Sequence, residues 1–121
     1  MPISILSAQR PSGNRTYRSL DVNTTGALIV GTAATLHDYY IRNNSAGVIY
    51  VKLYDKASAP TVGTDTPIRT IGIPATAAAN LSIVAGIYFA SGIGIGATTE
   101  VADNGTTGPT ANHVVANIGW K

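Results

Sequence analysis

A chain of 121 residues is the size of one domain, and at that length a single core buries roughly two-thirds of the unfolded surface. Apolar residues make up 45% and charged residues 12%, about half the usual ~25%, a balance that excludes a highly charged, disordered chain. Cysteine is absent, which excludes disulfides, thiolate metal sites and a thiol nucleophile, and no stretch approaches the ~18 consecutive apolar residues of a membrane helix.

The net charge of +2 is unevenly placed. Residues 1–20 hold Arg10, Arg15 and Arg18 and no acid, whereas the remainder carries five bases against six acids. The stretch "SAQRPSGNRTYRS" mixes Pro, Gly, Arg and Ser without an apolar face. It reads as an extended N-terminal arm, residues 1–20, ahead of a folded body, residues 21–121. Three arginines are too few for a nucleic-acid surface, where affinity grows with the number of phosphates neutralised. The start "MPISILSAQR" lacks the basic and long apolar regions of a secretory leader, so synthesis in a cytoplasm is expected.

From residue 26 onward the dominant signal is alternation with period 2. "GALIVG" sets Leu28 and Val30 on one face, and "LHDYYIR" pairs Tyr39 with Ile41. "RNNSAG" is short enough to make a hairpin into "VIYVKLY". There Ile49, Val51 and Leu53 form an inner face and Tyr50, Lys52, Tyr54 and Lys56 an outer one. Asp55 falls where that strand ends and Asp65 in the turn before Pro67, positions where carboxylates cap loose backbone N–H groups.

The next strand, "PIRTIGIP", is bounded by Pro67 and Pro74. "PATAAAN" reads as a connection, too short for the helix its alanines would favour, and "ANLSIV" as a strand. "GIYFASGIGIGAT" alternates throughout and reads as one strand, with Ile93, Ile95 and Ala97 on one face and Gly92, Gly94 and Gly96 on the other. After the turn-rich "EVADNGTTGPTAN", the closing "NHVVANIGW" aligns Val114, Ala116, Ile118 and Trp120. Seven or eight short strands without a convincing helix predict an all-β antiparallel β-sandwich, jelly-roll-like, with the arm outside it.

Catalytic readings find little to build on. His37 and His113 could join a serine and Asp38 or Asp55 on paper, but no serine sits in a G-x-S-x-G turn, so no hydrolase is expected. "DNGTT" matches only the start of a calcium loop and lacks its later ligands. The "GIGIG" glycines share one strand face instead of opening a helix, so they predict close approach by another backbone or an aromatic rather than a phosphate cradle. Neither a metal nor any other cofactor is expected. The Tyr50–Lys52–Tyr54–Lys56 stripe is the best binding face. It can be a solvated strand exterior, a subunit interface, or a platform for sugars or bases.

The run "YVKLYDKASAPTVGTDTPIRTIGIP", then "ANLSIVAGIYFASGIGIGATTEVADNGTTGP", then "NHVVANIGWK", spanning residues 36–121, resembles a family of small virion proteins of tailed bacteriophages, most like capsid decoration (cement) proteins. The resemblance implies a jelly-roll body, a homotrimer, and a place on the outer capsid lattice in contact with the major capsid protein, with no catalytic residues. The arm lies outside the matched run. Its composition makes Arg10, Arg15, Tyr17 and Arg18 the candidate capsid contacts. The other reading is a receptor- or carbohydrate-binding knob of a tail or head fibre, using the Tyr50/Tyr54 face and the loop tips.

Overall fold

The computed structural model describes residues 15–121. Eight strands account for nearly all regular structure: β1 (Arg15–Ser19), β2 (Ala27–Val30), β3 (Ala34–Asn43), β4 (Ile49–Asp55), β5 (Arg69–Ile73), β6 (Ala77–Phe89), β7 (Ile93–Thr98) and β8 (Val114–Trp120). They form two four-stranded antiparallel sheets, ordered β1-β8-β3-β6 and β2-β7-β4-β5. The pairs β1–β8, β2–β7, β3–β6 and β4–β5 are the rungs of one long hairpin. Rolled so that successive rungs alternate between the sheets, and closed by β3–β8 and β4–β7, that hairpin is an eight-stranded jelly roll.

The alternation read from the sequence supplies the core. Ile49, Val51 and Leu53 of β4, Ile93, Ile95 and Ala97 of β7, and Val114, Ala116 and Ile118 of β8 are all buried. They meet Leu36, Ile41, Ile73 and Phe89 between the sheets. Tyr17 and Trp120 pack at the margin of this layer.

Four local expectations are corrected. Residues 15–19 of the arm are a strand, β1, paired with β8 from Arg15↔Trp120 to Ser19↔Ala116. "RNNSAG" is not a hairpin, because β3 and β4 lie in different sheets. The reason is Asn43, whose fully buried side chain donates Nδ2 to the carbonyls of Gly47 (2.8 Å), Ile73 (3.0 Å) and Pro74 (3.1 Å) and accepts from Ser45 N at 2.9 Å. Those bonds satisfy an arch that leaves one sheet for the other. The alanines of "PATAAAN" belong to a strand, β6 starting at Ala77. "GIYFASGIGIGAT" is two strands, β6 and β7, broken at Ala90–Gly92. Asp55 imposes that break by accepting the amides of Ala90 (3.2 Å), Ser91 (2.8 Å) and Gly92 (3.4 Å).

Candidate contact surface

Two outer faces are available to such a sandwich, and the chain treats them differently. The face of β4 expected to be open is closed. Lys52 is 0% exposed and Tyr54 1%, while Tyr50 and Lys56 are half-buried. The cover is the chain itself: the β4–β5 connection, residues 56–68, folds back across the sheet. Its Pro60 lies against Gly94, whose missing Cβ would otherwise sit 2.8 Å from the proline ring, and its Val62 against Gly96. So the alternating glycines of "GIGIG" mark a close approach, and the approaching group is a loop of the same chain.

The β7–β8 connection completes the cover. Lys52 Nζ donates to Ala102 O at 2.5 Å, and Gly63, at φ +90°, packs on Thr106. A buried ammonium needs such an oxygen to offset the loss of water. Burial pushes the Tyr54 phenol above its ordinary pKa, and the charges of Asp65 and Asp103 add to the effect.

The acids of these loops hold backbone, not substrate. Asp65 accepts from Lys56 Nζ (2.6 Å) and Thr61 N (2.7 Å), and the Lys56 bond is the largest cause of its lowered pKa. Glu100 accepts from Thr106 N (2.9 Å) and Thr107 N (2.8 Å), and the Thr107 amide chiefly holds its carboxyl below the usual range. Asp21 takes the amide of Asn112 at 2.8 Å, tying the β1–β2 connection to the β7–β8 one. Each of these carboxylates satisfies N–H groups that a turn leaves unpaired.

Among the described residues, nothing covers the outer face of the other sheet in this way. The strand register aligns three rows across it: Thr16–Gly119–Asp38–Ser82, Arg18–Asn117–Tyr40–Asn80, and Val115–Arg42–Ala78. Residues directly opposite on neighbouring strands share a face. Tyr40 is 45% exposed, and Thr16, Arg18, Asp38, Ala78, Asn80 and Ser82 are exposed beside it. Small side chains keep the surface low around Tyr40, Arg18 and Arg42. Gly119 leaves the space that the Asp38 carboxylate occupies. Two guanidinium groups and one carboxylate make the face weakly basic.

Of the expected arm contacts, Arg18 lies on this open face and Tyr17 turns inward to the core. Arg15 stacks over Trp120, 5.8 Å from the ring centroid, at the end of the same strand pair. Arg10 lies outside the described residues. The sequence did not single out Tyr40, Arg42 or Asn117. The alternation that buries Tyr39 and Ile41 already put Tyr40 and Arg42 opposite them, but only strand pairing brings them beside Arg18.

His37 Nδ1 lies 3.1 Å from Ile83 O, and no hydrogen bond joins it to Asp38 or to a serine among the described residues. His113 stands at the far end of the sandwich, in a shallow cleft between the 44–48 arch and residues 108–110. The described residues contain no cluster of three or more His, Asp or Glu suited to a metal.

The described residues define a small jelly-roll domain that closes one face with its own loops and, among those residues, leaves the other uncovered. Comparison with protein-family models, with curated proteins and with solved structures finds no match to this chain.

Proposed function

We propose that this is a structural virion protein of a tailed phage, a decoration protein that sits on the outer capsid lattice and stabilises it by bridging capsomers. The observation that carries the reading is the asymmetry of the sandwich. The chain spends two long loops sealing one sheet and presents the other as a low, weakly basic face around Tyr40. Aromatic and arginine side chains on such a surface are the groups enriched where proteins dock. The sparse charge of the whole chain lowers the desolvation cost of close contact with many neighbours.

In this reading Arg18 and Arg42 meet acidic groups of the major capsid protein, Tyr40 fills a recess between capsomers, and Arg10 and Arg15 extend the contact from the arm. Each contact is weak, and repetition over a symmetric lattice by a homo-oligomer supplies the strength. The resemblance of the "KLYDKASAPTVGTDTP" segment adds support, with the segment itself serving as the internal cover of the closed sheet. The receptor-binding alternative rested on the Tyr50/Tyr54 face, where Lys52 and Tyr54 are buried, and on the loop tips, to which no observation gives a ligand.

The test is co-sedimentation with expanded capsids of the cognate phage. Wild-type protein should saturate a fixed number of lattice sites, and Arg18→Glu with Arg42→Glu should weaken binding by about tenfold or more, equivalent to ~1.4 kcal/mol. Wild-type protein that stays in the supernatant, or a double variant that binds as tightly, would refute the proposal.

A further inference from the structure

An open sheet edge offers unpaired backbone N–H and C=O groups to any strand that fits, so proteins protect their edges with charge, proline or brevity. This jelly roll has four edges, β1 and β6 in one sheet and β2 and β5 in the other. Strand β2 is four residues long and its register with β7 is irregular. Strand β5 is five residues long, starts at Arg69, and is bracketed by Pro67 and Pro74. Strand β1 is also five residues long and carries Arg15 and Arg18.

Strand β6 has none of these protections. It runs thirteen residues, "AAANLSIVAGIYF", without a charge or a proline. Its one partner in the sheet is β3, and its backbone makes no hydrogen bond to any other segment among the described residues. A single irregularity interrupts it. Residues 83–86 loop out opposite His37, with Gly86 at φ +78° and Val84 98% exposed at the crest. Before that loop, Ala77–Ser82 pairs in unbroken register with Asn43–Asp38. That leaves six residues of straight, uncharged edge.

We propose that the free edge of β6, over Ala77–Ser82, is the docking site for the same segment of a second copy of this chain. The two strands pair antiparallel about a two-fold axis, and the two four-stranded sheets become one sheet of eight. This inference concerns the free protein and does not depend on the capsid reading. It also sets a two-fold stoichiometry in place of the trimer that the phage resemblance implies.

Self-pairing is favoured over a foreign strand because a two-fold axis sets every residue near its own counterpart. A charged edge would repel itself there, and this edge has no charge to repel. Asn80, close to the middle of the segment, both donates and accepts through its amide, so it is complementary to itself across the axis. Ala78 and Ser82, the other exposed residues of the segment, are small enough to let the partner strand approach. With the axis at Asn80, Ala78 of each copy faces Ser82 of the other, and the exposed Val84 of each falls opposite Thr76 of the other. Each end of the joint then gains an apolar contact.

Native mass spectrometry and light scattering on the full chain test the pairing, with hydrogen exchange to locate it. Wild type should be a dimer whose 77–82 amides exchange slowly. Asn80→Lys sets like charges across the axis and should raise the dimer dissociation constant at least tenfold. Asn80→Asp should do the same, and mixing the two variants should restore a heterodimer. Asn80 is exposed, so both variants should keep the wild-type circular dichroism, with a melting temperature lowered only by the concentration-dependent stabilisation that dimerisation adds. A wild-type monomer or trimer, dimeric Asn80 variants, or a mixture that fails to pair would each overturn the inference. A trimer that still binds capsids would do so while leaving the decoration role standing.

Discussion

Asp55→Ala tests whether the carboxylate at the end of β4 is architectural. In the folded chain Asp55 accepts three consecutive amides, Ala90, Ser91 and Gly92, and the 2.8 Å bond to Ser91 is the strongest of them. A hydrogen bond to a charged group contributes about 1.5–3 kcal/mol, and losing a comparable helix cap costs ~0.5–2 kcal/mol. Because the β6–β7 turn is partly exposed, water replaces some of what is lost, and about 2 kcal/mol is expected. An unfolding entropy of ~2.1 cal/mol/K per residue converts each kcal/mol into about 4 °C for a chain of this length, so Tm should fall by about 8 °C. Asp55→Asn keeps an oxygen for Ser91 and Gly92 but loses the charge and the acceptor that Ala90 uses, so it should fall by about half as much. Thermal melts followed by circular dichroism at pH 7 measure both. An acid held for binding or chemistry would leave stability unchanged or improved when removed. An Asp55→Ala variant that melts within about 2 °C of wild type would therefore refute the capping argument.

Two further expectations concern the closed face. Gly94→Ala places a Cβ 2.8 and 2.9 Å from two ring carbons of Pro60 and should lower Tm, since overpacking costs about 1–3 kcal/mol against a gain of at most ~1 kcal/mol from removing a strand glycine. Combined with Pro60→Ala, it should cost less than the two single changes summed. Strict additivity in that double-mutant cycle would mean the loop does not press on the strand. Acid should also loosen this cover. Asp65 and Glu100 both have lowered pKa values in the folded chain, so their stabilisation is complete above the ordinary carboxylate range and disappears as pH falls through their folded values. Tm should hold steady from pH 7 to about 5 and decline below about pH 4, less steeply in an Asp65→Asn, Glu100→Gln double variant. Melts across that range decide it, and a double variant as acid-sensitive as wild type would count against the assignment.

The closed face also explains why the most distinctive segment of the chain misleads when taken alone. Residues 48–67 concentrate lysines, aspartates and tyrosines that look ready for chemistry. In the jelly roll this segment is the tip of the rolled hairpin, where the chain reverses between β4 and β5. The loop after a tip strand has no successor strand to cover it, and here it lies down on the sheet it came from. Pro60 and Val62 supply the apolar contact, Asp65 and Lys56 fix the loop to its own base, and Lys52 is enclosed in the process. Its charged groups thus hold the loop in place, and among the described residues the uncovered outer face is that of the opposite sheet.

Alternation alone determined a good deal. It assigned Ile49, Val51 and Leu53, Ile93, Ile95 and Ala97, and Val114, Ala116 and Ile118 to the core, because a pleated strand sends alternate side chains to opposite faces whatever its neighbours are. Asp55 and Asp65 were legible as caps because turn chemistry is local. Alternation cannot say whether the second face of a strand meets water. Lys52 and Tyr54 read as exterior and are buried because loops fold back over them, a contact settled by the whole path of the chain. Nor could the sequence assign strands to sheets. "RNNSAG" has hairpin length, yet the three carbonyl bonds of Asn43 make it an arch between layers. The open row Arg18–Asn117–Tyr40–Asn80 draws on four strands separated by up to a hundred residues. Only long-range pairing brings them side by side, so that surface was decided by the tertiary structure.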